Sequence, residues 1–144
     1  LVGSEMCIRD RKKSSNNALD FFREMYLAAV LQKLRQGDAA ACPADAVLEM
    51  ATAGGARAMG LLDCDCIAPG KQADLIVIDL HRPNMQPVHN AARNLVYSGS
   101  KENVKLTMVA GRVLYEDGAF CMGEDAEDIY RETQAHFRKL LERQ

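Results

Sequence analysis

The sequence predicts an α+β arrangement: helices first, then a small sheet, then a closing helix. Three observations carry this. Apolar residues recur at helical spacing up to Gly60, the period then shortens to that of strands, and the last stretch, "GEDAEDIYRETQAHFRKLLERQ", returns to an amphipathic helical pattern.

The first helix is "SNNALDFFREMYLAAVLQKLRQGD". Asn17 is placed to cap it, Asp20 follows three residues later as in a capping box, and Gly37 stops it. Leu19, Phe22, Tyr26, Ala29 and Val30 make an apolar stripe, which Phe21, Met25 and Ala28 widen until the helix expects neighbours on both faces. "CPADAVLEMATAGGARAMGLL" follows, with Pro43 suited to a first helical turn and Val47, Leu48, Met50 and Ala51 as its apolar face. Gly54 and Gly55 interrupt it, giving two short helices joined at "TAGG", the second closed by Gly60.

In "IAPGKQADLIVIDL", Pro69-Gly70 is the pair a type II turn requires, and the β-branched run from Ala73 to Leu80 marks a strand. "RNLVYSG" reads as a shorter strand. "NVKLTMVAGRVLYEDGAF" reads as a hairpin whose arms meet at Ala110-Gly111. In the tail, acids occupy the first turn and bases the end, complementing the helix dipole, while Ile129, Thr133, Phe137 and Leu140 form a stripe suited to docking rather than catalysis.

Composition narrows the function classes. At 144 residues the chain is long enough for one ordinary domain and short for an enzyme built on a large barrel. A net charge of -2, with one dense basic run from Arg9 to Lys13 broken by Asp10, gives no footprint for nucleic acid. No apolar stretch approaches the roughly 20 residues of a membrane span, and the opening residues lack the apolar core of a signal peptide. Five cysteines without framework spacing fit a reducing compartment, so a cytoplasmic protein is expected.

No catalytic constellation is present: no His-x-His, no glycine-rich phosphate loop, no nucleophile elbow. Cys64 and Cys66 could suggest half of a metal site, but no second pair or nearby histidine completes four ligands. His81 and His89 frame a Pro- and Asn-rich loop and His136 lies in the tail; polar loop and core contacts are expected of them rather than metal ligation.

The segments "ATAGGARAMGL", "IAPGKQADLIVIDL", "LVYS" and "VKLTMVAGRVLYEDG", in this order and spacing, resemble the carboxyl-terminal end of the amidohydrolase superfamily. "SSNNALDFFREMYLAA" and "RPNMQPVHNAARNLVYS" are most similar to its S-adenosylhomocysteine and methylthioadenosine deaminases and related chlorohydrolases. The resemblance implies a parent of α/β class, a metal-dependent (β/α)8 barrel followed by a composite β-sandwich. In that parent a divalent metal, in the first place zinc, sits on an early His-x-His, a later histidine and an aspartate at the end of the eighth strand. It activates a water that attacks the amino-bearing carbon of a purine nucleoside, while the aspartate passes a proton to departing ammonia.

Under this resemblance, residues 12–60 are the last barrel helices, 61–122 the carboxyl-terminal part of the sandwich and 123–144 the terminal helix. Catalytic and metal-ligating residues are expected to be absent, with the amino-terminal barrel and sandwich strands as missing partners; the family admits homo-oligomers. Ser15 and Asn16 would follow the catalytic strand at the barrel mouth and touch substrate, with helix capping as the plainer alternative. Anchored on Ser15-Asn16-Asn17, the family aspartate falls on Arg11, and Asp10 stands one residue too early.

Residues 1–11, "LVGSEMCIRDR", match the in-frame translation of a transposon-end sequencing adapter, which sets the expected native start between Lys12 and Ser14 and makes Asp10 a decoy. A fragment of a metal-dependent aminohydrolase, inactive alone, is thus the first expectation. A free-standing, non-catalytic binding module is the second, and a guanine deaminase or triazine chlorohydrolase fragment the variant of the first.

Overall fold

A computed structural model describes residues 20–142. Three helices come first, α1 (Phe21–Gln36), α2 (Ala44–Ala51) and α3 (Ala53–Ala58). Strand β1 (Leu75–Ile78), helix α4 (Ala91–Ser98), strands β2 (Val104–Val109), β3 (Arg112–Glu116) and β4 (Ala119–Phe120), and helix α5 (Ala126–Leu141) follow. The α+β expectation holds.

Asp20, not Asn17, caps α1: its carboxylate accepts from the Phe22 N–H at 3.0 Å and the Arg23 N–H at 3.4 Å. The expected capping box is therefore corrected. An Asp at the cap satisfies two otherwise orphaned donors and places negative charge at the positive end of the helix, and Asn17 itself lies outside the described residues. Gly37 ends α1 at φ +65, with its N–H on the Leu34 carbonyl and the Asp38 N–H on that of Lys33. A residue with a Cβ is penalised in that left-handed conformation. Pro43 stands just before α2 as its cap rather than inside the first turn.

Thr52 joins α2 to α3 in an irregular conformation, φ -118 and ψ -103. A Cβ on Gly54 would meet the Glu49 carbonyl oxygen at 3.0 Å, and one on Gly55 that of Met50 at 3.0 Å. The two glycines let α3 fold back on the end of α2, which answers their role with close approach as well as punctuation.

The core is helical. Phe22, Met25 and Ala29 of α1, Ala44, Val47 and Met50 of α2, and Val96 of α4 form one buried cluster, with Ile78 and Val104 of the sheet packed at its edge. Each large apolar side chain so buried contributes about 1.5–3 kcal/mol. The apolar girth of α1 extends beyond this face: Tyr26, Leu31 and Leu34 are exposed.

The segment expected as a short strand, "RNLVYSG", is corrected: it is α4. Asn90 caps it by accepting from the Arg93 N–H at 2.9 Å, and its turn spacing places Val96 into the α1–α2 cluster. Strand propensity of Leu-Val-Tyr yields to this cap and burial, because such propensity mostly reflects side-chain packing.

The sheet is antiparallel in the order β1-β2-β3-β4. Leu75 pairs with Met108 and Ile78 with Val104, and Met108 in turn faces Val113. Ala110 and Gly111 both have positive φ, +51 and +76, the requirement of a two-residue hairpin turn that follows strand twist. A second tight turn at Asp117-Gly118 adds β4, where Tyr115 meets Phe120 edge-on at 5.4 Å between ring centres. Pro69-Gly70 forms the expected turn, with Gly70 at φ +84 and the Lys71 N–H on the Ala68 carbonyl at 3.1 Å.

Between β1 and β2 the chain leaves the sheet, supplies α4 to the helical core, and returns. Asn103 closes this excursion. It is 1% exposed, and its side-chain oxygen accepts from the Asn84 amide, the Ser100 N–H and the Ser100 hydroxyl, while its amide donates to the Asp79 carbonyl and to Asn84 Oδ1.

Helix α5 is capped by Asp125, which accepts from the Glu127 N–H at 3.0 Å. The expected docking of its stripe is not seen among the described residues: none of its residues is buried. No described helix is long and apolar enough to cross a membrane.

Candidate functional site

The sequence-predicted site residues, Ser15 and Asn16, lie outside the described residues, as do Asp10 and Arg11. The structure therefore brings no part of the expected barrel mouth together. His81, His89 and His136 are exposed, so the core contacts expected of them are absent.

A groove of about 560 Å³ lies between the loop after α3, the start of β1 and the end of β2, lined by Cys64, Asp65, Cys66, Asp74, Leu75 and Met108 among others. Lys71 anchors its rim. The ammonium donates to Asp65 Oδ1 at 2.9 Å and also to the Leu62 carbonyl. This hydrogen bond holds the Asp65 carboxyl below the usual carboxylate range and raises the ammonium of Lys71 above its ordinary value.

Asp74 pins the sheet. Its carboxylate accepts from the Ala110 N–H at 2.6 Å and from the Gln72 amide at 2.9 Å, and the Gly111 N–H reaches the Ala73 carbonyl at 3.0 Å. The Ala110 N–H, chiefly, lowers the Asp74 pKa. The Cys64 thiol is pushed up, first by burial and then by the charge of Asp74. It stays protonated near neutral pH, the opposite of what a thiolate nucleophile or metal ligand requires.

These ionic groups are clamps. Among the described residues no three of His, Cys, Asp and Glu stand together in a group that could hold a metal. Sequence reasoning quoted Lys71 and Asp74 within a motif but missed their work; a Lys and an Asp after a Pro-Gly turn, the Asp facing a hairpin tip 36 residues on, carry no local signal of it.

One acid-dependence follows. Asp74 has a folded pKa below its unfolded value of about 3.9, so its stabilising contribution is present above that value and is lost as pH falls through the folded one. Asp65 and Asp79 are lowered too, the latter mainly by the His81 N–H. Asp74→Asn keeps an acceptor for Ala110 and removes one titration. The drop in urea midpoint between pH 7 and pH 3 is expected to be smaller in this variant than in the parent chain; an unchanged drop would show that Asp74 does not contribute.

Residues 2–114 match the sequence profile of the amidohydrolase family. A 5-methylthioadenosine/S-adenosylhomocysteine deaminase of Nitratidesulfovibrio vulgaris (strain Miyazaki F) is 51% identical over 107 residues, which cover 74% of this chain and 24% of that protein. An adenosine deaminase of Xanthomonas campestris, solved with bound zinc, superposes with a TM-score of 0.79 at 35% identity, covering 88% of this chain and 29% of that one. A zinc-bound atrazine chlorohydrolase of Arthrobacter aurescens gives 0.71 at 28% identity over 79% of this chain and 25% of its own. The chain thus spans about a quarter of the length of the relatives it matches.

Proposed function

Because the chain belongs to the amidohydrolase family, we propose that it forms the carboxyl-terminal portion of a metal-dependent aminohydrolase acting on an adenosine derivative of the methylthioadenosine or S-adenosylhomocysteine class. The observation that carries this is the 51% identity to a deaminase named for those substrates. In this reading the parent is a (β/α)8 barrel with a composite sandwich, α1 to α3 close the barrel wall, and β1 to β4 are one part of the sandwich. Ser15 and Asn16 contact the nucleoside at the barrel mouth.

The reaction replaces the purine amino group by oxygen from water and releases ammonia. The described residues of this chain fit no metal, so no step of that chemistry is assigned to them; their part is to hold architecture. A triazine chlorohydrolase parent is the second reading, favoured by the structural likeness at TM-score 0.71 but at the lower identity of 28%.

The test is an adapter-free amplification and reading of the template upstream of the Ser14 codon, followed by expression of the whole frame and assay on methylthioadenosine, S-adenosylhomocysteine and a chlorotriazine. A frame running into Thr-Asp-Gly before "SSNN", a distant upstream His-x-His and ammonia release from the nucleosides support the proposal. Recovery of "LVGSEMCIRDR" codons from the template would overturn it in favour of a metal-free binding module. The 144-residue chain alone is expected to hold clearly less than one zinc per chain by native mass spectrometry and to release no ammonia; stoichiometric zinc there would contradict the assignment of the metal to absent residues.

A further inference from the structure

Helix α5 presents an apolar stripe that no other described residue buries. Ile129 is 37% exposed, Phe137 59% and Leu140 61%, on a helix of 16 residues, about 24 Å long. Its two ends carry opposite charge, Glu127 and Asp128 in the first turn and Arg138 and Lys139 in the last, with Arg131 and Glu132 between them. The stripe and the charges share one centre, Thr133.

We propose that α5 is a self-pairing surface that docks antiparallel on α5 of a second copy of this chain, about a twofold axis passing Thr133. A twofold pairing must be self-complementary: if residue i meets j, then j meets i. Centred on Thr133, the antiparallel arrangement sets Ile129 level with Phe137 of the second copy and the small Ala126 level with Leu140. Bulky groups interleave and the ends taper.

The same centring brings the acidic turn of each helix alongside the basic turn of the other, Glu127 and Asp128 on the flanks near Arg138 and Lys139, within about a Debye length at 0.1 M salt. A parallel pairing would set acid beside acid. The antiparallel pairing also opposes the two helix dipoles head to tail. One like-charged level, Glu124 with Glu142, falls at the helix ends in solvent. The Asp128–Arg131 pair within each helix is exposed, and such a pair is too weak to withhold Asp128 from this field.

One helix from each side buries less than the roughly 1,600 Å² of a standard interface. The association is therefore weak, concentration-dependent and salt-sensitive. Neither metal nor substrate enters it; it rests on the proposed parent only in requiring that the remaining portion leave this face of α5 open.

The test is sedimentation of the full chain over a concentration series at low salt, with two charge variants: Glu127→Lys with Asp128→Lys, and Arg138→Glu with Lys139→Glu. Each variant alone is expected to self-associate roughly tenfold more weakly than the parent, since attraction becomes repulsion on both flanks. An equimolar mixture of the two is expected to form heterodimers with near-parental strength. Phe137→Glu, which leaves the charges at both ends in place, is expected to abolish association in any mixture. Circular dichroism checks that α5 remains helical, and the milder pair Glu127→Lys and Lys139→Glu serves if a double variant loses helix. A monomeric parent, variants that associate as the parent does, or helical variants that fail to recover on mixing would each overturn the proposal. The second and third outcomes would point to the exposed face of α1, or to a further segment of a longer chain, as the partner of its own surface.

Discussion

Gly99→Ala is expected to destabilise the chain by about 3 kcal/mol, at the upper end of overpacking costs. Gly99 follows α4 with φ -67 and ψ 149, a conformation open to any residue, so handedness is not the issue. Space is. A Cβ there would lie 2.5 Å from the Leu95 carbonyl oxygen and 2.8 Å from Phe22 Cδ1. The carbonyl is fixed by the helix that it terminates, and Phe22 is a core residue 7% exposed. Relief requires α4 to withdraw from α1, which opens the contact that buries Val96. Urea titration reads the loss as a lower midpoint at unchanged slope. An unaltered midpoint would mean that Phe22 swings aside freely and that α4 is not pinned against α1.

Asn103→Ala is expected to cost a similar amount, about 3 kcal/mol, by a different route. The side chain is nearly sealed from water, and its removal leaves the part-buried Ser100 N–H without its acceptor at 2.9 Å and takes one of two acceptors from the Asn84 amide, which keeps the Ser98 carbonyl. A buried group left without its partner forfeits about 1–3 kcal/mol, and the vacated volume adds to it. Ser100→Ala removes only the weaker hydroxyl donor at 3.1 Å and is expected to cost far less. Equal midpoint shifts for the two variants would show that water enters and replaces the amide.

What was legible in the sequence is what local backbone chemistry dictates. Gly37, Pro69-Gly70 and Ala110-Gly111 each occupy a conformation that few residue types adopt at low cost, so their positions mark an element end or turn without reference to the rest of the chain. The Asp117-Gly118 turn carried the same kind of signal, and β4 could have been found from it. What was hidden depends on contacts far apart in sequence. Leu95-Val96-Tyr97 suit a strand by propensity and become a helix because the α1–α2 cluster takes up Val96. Asn84 and Asn103, 19 residues apart, look like ordinary loop residues until the excursion between β1 and β2 closes on them. Of the candidate site, Ser15 and Asn16 rested on resemblance alone, and the described residues neither reach them nor offer another catalytic group.

The closure at Asn103 also divides the sheet into parts of different topological cost. Strands β2, β3 and β4 are joined by two-residue turns, whereas β1 reaches β2 only across the 25 residues 79–103. Closing the longer loop costs about 2 kcal/mol more chain entropy than closing a two-residue one. That difference is offset by the helical cluster and the amide knot together with the pairing of β1 to β2 and the Asp74 clamp on the hairpin tip. The three-stranded meander is therefore a local unit, while β1 joins it through its own pairing and is expected to loosen first when the helices unfold.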